Sequence, residues 1–104
     1  MVECSKSDWK LFRSRIGEWQ ENYMKHLNEE YIELLSSEGN PSDKFWKLDE
    51  RIKKDKKRPG VILELKKQKV AGDLATLVYD NAITFTDLEG FSDELKEQVK
   101  LFLK

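Results

Sequence analysis

Cysteine, proline and glycine are scarce in this chain, and it has no long apolar run. Of its 104 residues, one is cysteine, two are proline and five are glycine. The single cysteine, Cys4, cannot form an internal disulfide, which indicates a reducing, cytoplasmic setting. No apolar stretch reaches the roughly 18–20 residues of a transmembrane helix, so a membrane-spanning role is excluded. The first residues have neither the basic start nor the apolar core of a signal peptide.

The residue types on which catalysis and metal binding usually depend are also few. His26 is the one histidine, and without a cysteine pair the chain lacks the usual ligands of a zinc site. The glycines are isolated from one another, which excludes a glycine-rich phosphate loop. Segment 80–89 does not fit a calcium-binding loop, because its oxygen-bearing side chains are out of register. We therefore predict no enzymatic activity, cofactor or metal site, and a surface position for His26.

Charge, in contrast, is abundant and unevenly distributed. Charged and apolar residues each make up 38% of the sequence, and the formal net charge is −1. Residues 1–42 have five basic and eight acidic side chains, residues 43–69 eleven and five, and residues 70–104 three and seven. The local balances are thus −3, +6 and −4. A basic middle segment between acidic ends is the most distinctive feature of the composition.

Apolar side chains recur at helical spacing through the first third of the chain. Steps of three and four residues, about 3.6 on average, connect Trp9, Phe12, Ile16, Trp19, Tyr23, Leu27, Tyr31 and Leu34. This pattern predicts one amphipathic helix, capped by Ser5 or Ser7 and ending near Ser37, before Gly39-Asn40-Pro41. Gly17 is its weak point, and a kink there is an open alternative to a straight helix.

Shorter helices are predicted for the remainder. Asn40-Pro41 starts a second helix that Pro59-Gly60 ends. A third is expected over residues 61–79, although segment 61–65 could also be read as a short strand. Thr84 and Asp87 are spaced as a capping box at the start of a short helix, and a final helix begins near residues 91–94. The prediction is a single all-α domain, residues 1–104, with four or five helices in a compact bundle.

The aromatic residues of the first helix have two interpretations. Most simply they form the core, but five aromatics along one helix exceed what short helices easily cover, and tryptophan and tyrosine are enriched in protein interfaces. The candidate interface residues are Trp9, Trp19, Tyr23, Tyr31 and Trp46.

The basic segment 44–69 is the second candidate surface. Gathered on one face, its cations could contact nucleic-acid phosphates. The candidate basic patch consists of Lys47, Arg51, Lys54, Lys57, Arg58, Lys66, Lys67 and Lys69. Lysines predominate and the isoelectric point is near 5.9, so a solvated face is the simpler interpretation.

Five short strings also resemble a known group of proteins. They are Ser7-Asp8-Trp9, Glu18-Trp19-Gln20-Glu21, Tyr31-Ile32-Glu33-Leu34-Leu35, Ser42-Asp43-Lys44-Phe45-Trp46 and Phe91-Ser92-Asp93-Glu94-Leu95. Together they resemble small uncharacterised helical proteins of Gram-positive gut bacteria, often carried on mobile elements. Some members have a "multidrug transporter" label, which the lack of a membrane span contradicts. The resemblance covers nearly the whole chain, implies a bacterial cytoplasmic accessory protein and assigns no functional residue.

These observations predict a non-enzymatic protein-interaction module whose partner is another protein or a second copy of the chain. The resemblance extends this expectation to an accessory protein of a mobile element or a modulator of host defence. The alternative is a small nucleic-acid-binding regulator that uses segment 44–69. No membrane partner is expected, and no small-molecule substrate is evident.

Overall fold

The structure, a computed structural model, describes residues 4–104, and every regular element within them is helical. Its four α-helices are α1 (Lys6–Ser36), α2 (Pro41–Asp55), α3 (Val70–Tyr79) and α4 (Asp93–Phe102). Short 3₁₀ segments at Lys67–Lys69 and Phe85–Leu88 precede α3 and connect it to α4. The predicted all-α class, with four helices and a long first helix, is confirmed. No helix in the described part of the chain is long and apolar enough to cross a membrane.

Local capping explains where several of these elements begin. Ser5 Oγ accepts a hydrogen bond from the Asp8 backbone N–H at 3.1 Å and so caps α1. The predicted capping box is present, since the Thr84 N–H donates to Asp87 Oδ2 at 2.7 Å. α1 continues through Gly17 without interruption, so the helix does not break at that glycine.

The helix predicted over residues 61–79 is wrong in its first half. The chain turns at Arg58, whose carbonyl accepts from Val61 and Ile62 N–H, and then runs extended until the 3₁₀ turn before α3. Val61 and Leu63 are half-buried while Ile62 is exposed, which is the alternation of an extended chain. The turn places Gly60 against the Tyr23 ring, and the chain that follows packs through alternate residues instead of through a helical face.

The apolar core lies at one end of the molecule, which we call the head. It combines the first half of α1 with α3, α4 and the segments between them. Its buried residues are Phe12, Ile16, Val70, Ala71, Leu74, Ala75, Leu77, Ile83, Leu88, Phe91, Leu95 and Val99. Two polar contacts fasten α1 to this core: Asp8 accepts from Ser92 N–H and Oγ–H at 2.9 and 2.5 Å, and Arg15 donates to the Glu89 carbonyl at 2.7 Å.

Beyond the head, α1 continues and pairs only with α2. We call this helical hairpin, residues 20–58, the arm. No residue of the arm belongs to the core cluster. The molecule therefore measures 51 × 23 × 21 Å, and its radius of gyration of 16.2 Å exceeds the roughly 13 Å of a spherical domain of this length. The bundle is elongated because half of its longest helix has a single neighbour.

Candidate interaction site on the arm

The base of the arm contains the best-developed polar network in the described structure. Asp55, in the last turn of α2, is only 4% exposed. Tyr31 Oη donates to Asp55 Oδ2 at 2.5 Å, and guanidinium nitrogens of Arg51 and Arg58 lie 3.6 and 3.5 Å from its two oxygens. A buried carboxylate is tolerated when hydrogen bonds and opposite charges compensate for its lost hydration. Burial, together with the hydrogen bond to Asp55, raises the pKa of Tyr31 to about 12.

Both arginines of this network also reach a second carboxylate. Arg51 Nη2 lies 3.0 Å from Glu30 Oε1 on α1, and its guanidinium lies 5.5 Å from the centre of the Tyr31 ring. Arg58 Nη1 donates to Asp80 Oδ1 at 2.8 Å, just beyond α3. The first contact connects the two helices of the arm, and the second connects the arm to the head. The network therefore fastens α2 and the turn after it to α1 and to the head.

A cleft of about 700 Å³ opens beside this network. Its walls come from α1, the end of α2 and the turn after α3, and they are formed by Tyr23, His26, Leu27, Glu30, Arg51, Lys54, Asp55, Arg58, Tyr79, Asp80 and Asn81. Three basic and three acidic side chains line it, so it has no excess charge with which to attract an anion. His26 lies at its rim with a side chain 69% exposed, 3.5 Å from Glu29.

The predicted basic patch is divided between two places. Lys47, Arg51 and Lys54 line one shallow groove of the arm, whereas Lys66, Lys67 and Lys69 lie on the segment that enters α3. Arg51 and Arg58 are committed to carboxylates of the chain itself, and Lys66 Nζ lies 3.3 Å from Glu64. Lys57 is exposed at the end of α2. The eight predicted cations thus do not converge on one face.

Most of the predicted aromatic interface packs inside the protein. Trp9 and Trp19 lie against the core, with ring centres 6.5 and 6.4 Å from that of Phe12. Tyr31 is held by Asp55. Tyr23 is 7% exposed, so its predicted role as an interface residue needs correction. Its ring lies against the turn after α2, where a Cβ on Gly60 would be 2.3 Å from it.

Trp46 is the predicted interface residue that the structure leaves open. It is 62% exposed, and its ring meets the equally exposed ring of Phe45 edge-on at 5.0 Å. Ile32 and Leu35, at the far end of α1, are 63% and 46% exposed. We call these four residues the arm tip. Sequence reasoning did not single out the other three, because Ile32 and Leu35 lie outside the apolar stripe of the first helix and Phe45 fits the apolar pattern of an ordinary amphipathic helix.

The composition of α2 explains why the arm tip stays uncovered. The one buried residue of this helix is the charged Asp55, and its apolar residues Leu48 and Ile52 are only half-buried against α1. On one side of the arm, a groove of about 290 Å³ runs between the helices. It is lined by Met24, Leu27, Asn28, Tyr31, Ile52, Asp55, Lys56 and Val61. The arm is a helix pair that lacks a third layer.

The head contains one isolated polar anomaly. Asp73 Oδ2 is buried and has no hydrogen-bond partner in the described part of the chain. Burial raises the pKa of Asp73 to about 6, although Lys69 acts in the opposite direction. Within residues 4–104, no three histidine, cysteine or acidic side chains are grouped closely enough to hold a metal ion. Asp73 is therefore an isolated buried acid.

The fold and the arm define an all-α protein with a projecting helical hairpin. No protein-family model matches the chain, and no curated protein or solved structure was found to be similar to it.

Proposed function

We propose that this chain is a non-enzymatic protein-interaction module that binds its partner through the arm. The observation that carries the proposal is the arm tip, in which four large apolar side chains are exposed near the free end of a helix pair with no third layer. Burying a large apolar side chain is worth about 1.5–3 kcal/mol. A concentration of exposed apolar side chains in one region is a common mark of a protein-binding site.

The polar network at the base of the arm supports the proposal because it holds the two helices of the arm in one arrangement. Arg58 bridges Asp55 of the arm and Asp80 next to α3, with nitrogen–oxygen distances of 3.5 and 2.8 Å. A surface that is already ordered loses less conformational entropy on binding than a flexible one. The arm tip therefore lies at the end of the molecule opposite the head, on an ordered helix pair. Such a geometry suits a partner with a concave or grooved surface.

The test is affinity capture from a lysate of the encoding organism, with three versions of the purified chain. The wild type is compared with Phe45→Ser/Trp46→Ser and with a control of similar exposure in the head, Tyr79→Ser/Phe102→Ser; Tyr79 and Phe102 are 79% and 50% exposed. We expect one set of captured proteins that is lost with the arm variant and kept with the control. Equal capture by all three versions would refute the proposal.

The same experiment separates this function from nucleic-acid binding by segment 44–69. Nuclease treatment of the lysate leaves a protein-mediated capture unchanged. Direct binding of the purified chain to random duplex DNA at low salt, with affinity falling steeply as salt rises, would instead favour the nucleic-acid regulator. As part of the proposal, we place the module in the bacterial cytoplasm, as an accessory of a mobile element or a modulator of host defence.

A further inference from the structure

The two broad faces of the arm differ in chemistry. One face carries the polar cleft with Glu30, Arg51 and Lys54. The other face is found from the helical period, since successive residues of an α-helix are 100° apart around its axis. On α1, positions 24, 28, 31 and 35 fall within about 60° of one another. On α2, the same is true of positions 45, 49, 52 and 56. Positions 24, 28, 31, 52 and 56 among them line the groove between the helices. Five of the eight positions are apolar or aromatic, namely Met24, Tyr31, Leu35, Phe45 and Ile52. We call this the apolar face of the arm.

The helices that frame the apolar face carry opposite charge. The half of α1 in the arm is acidic: residues 20–36 contain four glutamates and one lysine, with His26 neutral. Residues 43–58, which comprise most of α2 and the turn after it, contain eight basic and four acidic side chains. The balances are thus −3 and +4. A partner that offers a positive helix to α1 and a negative helix to α2 would match both sides of this face.

From this complementarity we propose that the occupant of the apolar face is a second copy of the chain. The proposal rests on the proposed function, in that it names the partner of the same arm. A two-fold axis parallel to the arm brings α1 of one copy against α2 of the other, and the result is a four-helix bundle. Around that bundle every helix has two neighbours of opposite charge.

The alternative two-fold arrangement is disfavoured by the same charges. An axis perpendicular to the arm sets α1 against its own copy, so two helices of balance −3 become neighbours. In the parallel-axis dimer the two arm tips coincide instead. Ile32, on the free edge of α1, then lies near Trp46 of the partner copy, on the free edge of α2. The arrangement therefore brings exposed apolar side chains of the two arms together along the edges of the interface.

The size of the apolar face predicts a weak dimer. Fifteen residues of helix are about 22 Å long, and two helices side by side are about 20 Å wide, which gives a footprint on the order of 450 Å². Stable interfaces bury about 800 Å² per partner, so we expect dissociation in the micromolar range, dependent on concentration. Apolar contacts provide the attraction, while the helix charges select the arrangement.

Sedimentation equilibrium of the purified chain over a range of micromolar concentrations tests the proposal. We expect a reversible monomer–dimer equilibrium whose dissociation constant rises at least tenfold in Ile32→Glu. The matched control is Leu101→Glu in α4, because Leu101 is 65% exposed and Ile32 63%. It should dimerise like the wild type. A monomer at every concentration would overturn the proposal, and so would a dimer that only the Leu101 variant dissociates.

Cross-linking distinguishes the two arrangements. In a Cys4→Ser background, Glu38→Cys places a single thiol at the arm tip. Mild oxidation should give a covalent dimer if the two tips coincide, and a variant with its thiol at Lys104 serves as the comparison. Failure of the tip thiol to cross-link a sedimenting dimer would contradict the parallel-axis arrangement. Since these measurements use only the purified chain, a monomer would refute self-association and leave arm-dependent capture of another protein as a separate result.

Discussion

The head and the arm share α1 but are stabilised in different ways. The head buries twelve apolar residues around Phe12 and Leu74. The arm buries Tyr23 and Leu27, and otherwise depends on a carboxylate held by a tyrosine and two arginines. Apolar burial is strong and tolerant of small displacements, whereas a hydrogen-bonded ion network is weaker and demands one geometry. The head therefore provides stability, and the arm provides direction.

The largest expected effect is in the head. Phe12 is fully buried, and Phe12→Ala should lower the free energy of unfolding by ~3–5 kcal/mol, since it removes a large buried ring and leaves a cavity. Leu48→Ala, in the half-buried contact of the arm, should lower it by about 1 kcal/mol. Urea denaturation followed by tryptophan fluorescence measures both. Similar losses for the two variants would refute the distinction between a strong head and a weak arm.

The next effect concerns the geometry of the arm. Tyr31→Phe removes the donor to buried Asp55 and should lower the free energy of unfolding by ~1.5–2 kcal/mol, because a hydrogen bond to a charged group is lost without replacement. The control is Tyr79→Phe, since Tyr79 is 79% exposed and no hydrogen bond of its hydroxyl is found in the described structure. Thermal unfolding of the two variants should differ clearly. No difference between them would mean that the network at the base of the arm does not stabilise the fold.

The third effect is a pH dependence located in the head. Burial raises the pKa of Asp73 to about 6 in the folded chain, from an ordinary value of 3.8. The folded state therefore holds its proton more tightly than the unfolded state, and stability is lost as pH rises from 4 to 6. Asp73→Asn keeps the shape without the charge, so it should be more stable than the wild type at pH 7. Because Asp73 is only half-buried, solvent screens its charge, and the expected difference is ~1 kcal/mol.

Chemical denaturation of both proteins at pH 4, 5, 6 and 7 provides the measurement. The stability difference between Asp73→Asn and the wild type should grow through this window and then level off. A constant difference would show that Asp73 ionises normally in the fold. Because the two proteins differ only at residue 73, the change in their difference with pH reports on that position in the head.

Patterns within a few residues could be predicted from the sequence. The 3.6-residue period of α1, the proline at the start of α2 and the spacing of Thr84 and Asp87 each depend on near neighbours, and all three appear in the structure. The extended segment 61–66 could not be predicted in this way, because it follows a turn at Gly60 that lies against the ring of Tyr23, from a distant part of α1. The local apolar pattern of that segment, taken alone, favoured a helix.

The network at the base of the arm could not be predicted from the sequence either, because its members are also distant from one another in the chain. Tyr31 and Asp55 are 24 residues apart, and Arg58 and Asp80 are 22 apart. Asp55 lies within a run of lysines that looks like a solvated face, so nothing in the sequence marks it as buried. Only the antiparallel pairing of α1 and α2 brings these groups together. The exposure of the arm tip could not be predicted either, because its apolar residues have the same spacing as those of a helix that is covered by a neighbour.

The smallest expected effect lies where the head passes into the arm. Gly17 is exposed in the middle of α1, and a Cβ there would meet nothing within 4 Å, so Gly17→Ala should raise the free energy of unfolding by ~0.5–1 kcal/mol. The contrast is Gly60→Ala, whose Cβ would lie 2.3 Å from the Tyr23 ring and should destabilise the base of the arm. Thermal unfolding should move in opposite directions for the two variants. If Gly17→Ala were also destabilising, α1 would need flexibility at that glycine, and the arm would be a hinged element instead of a fixed one.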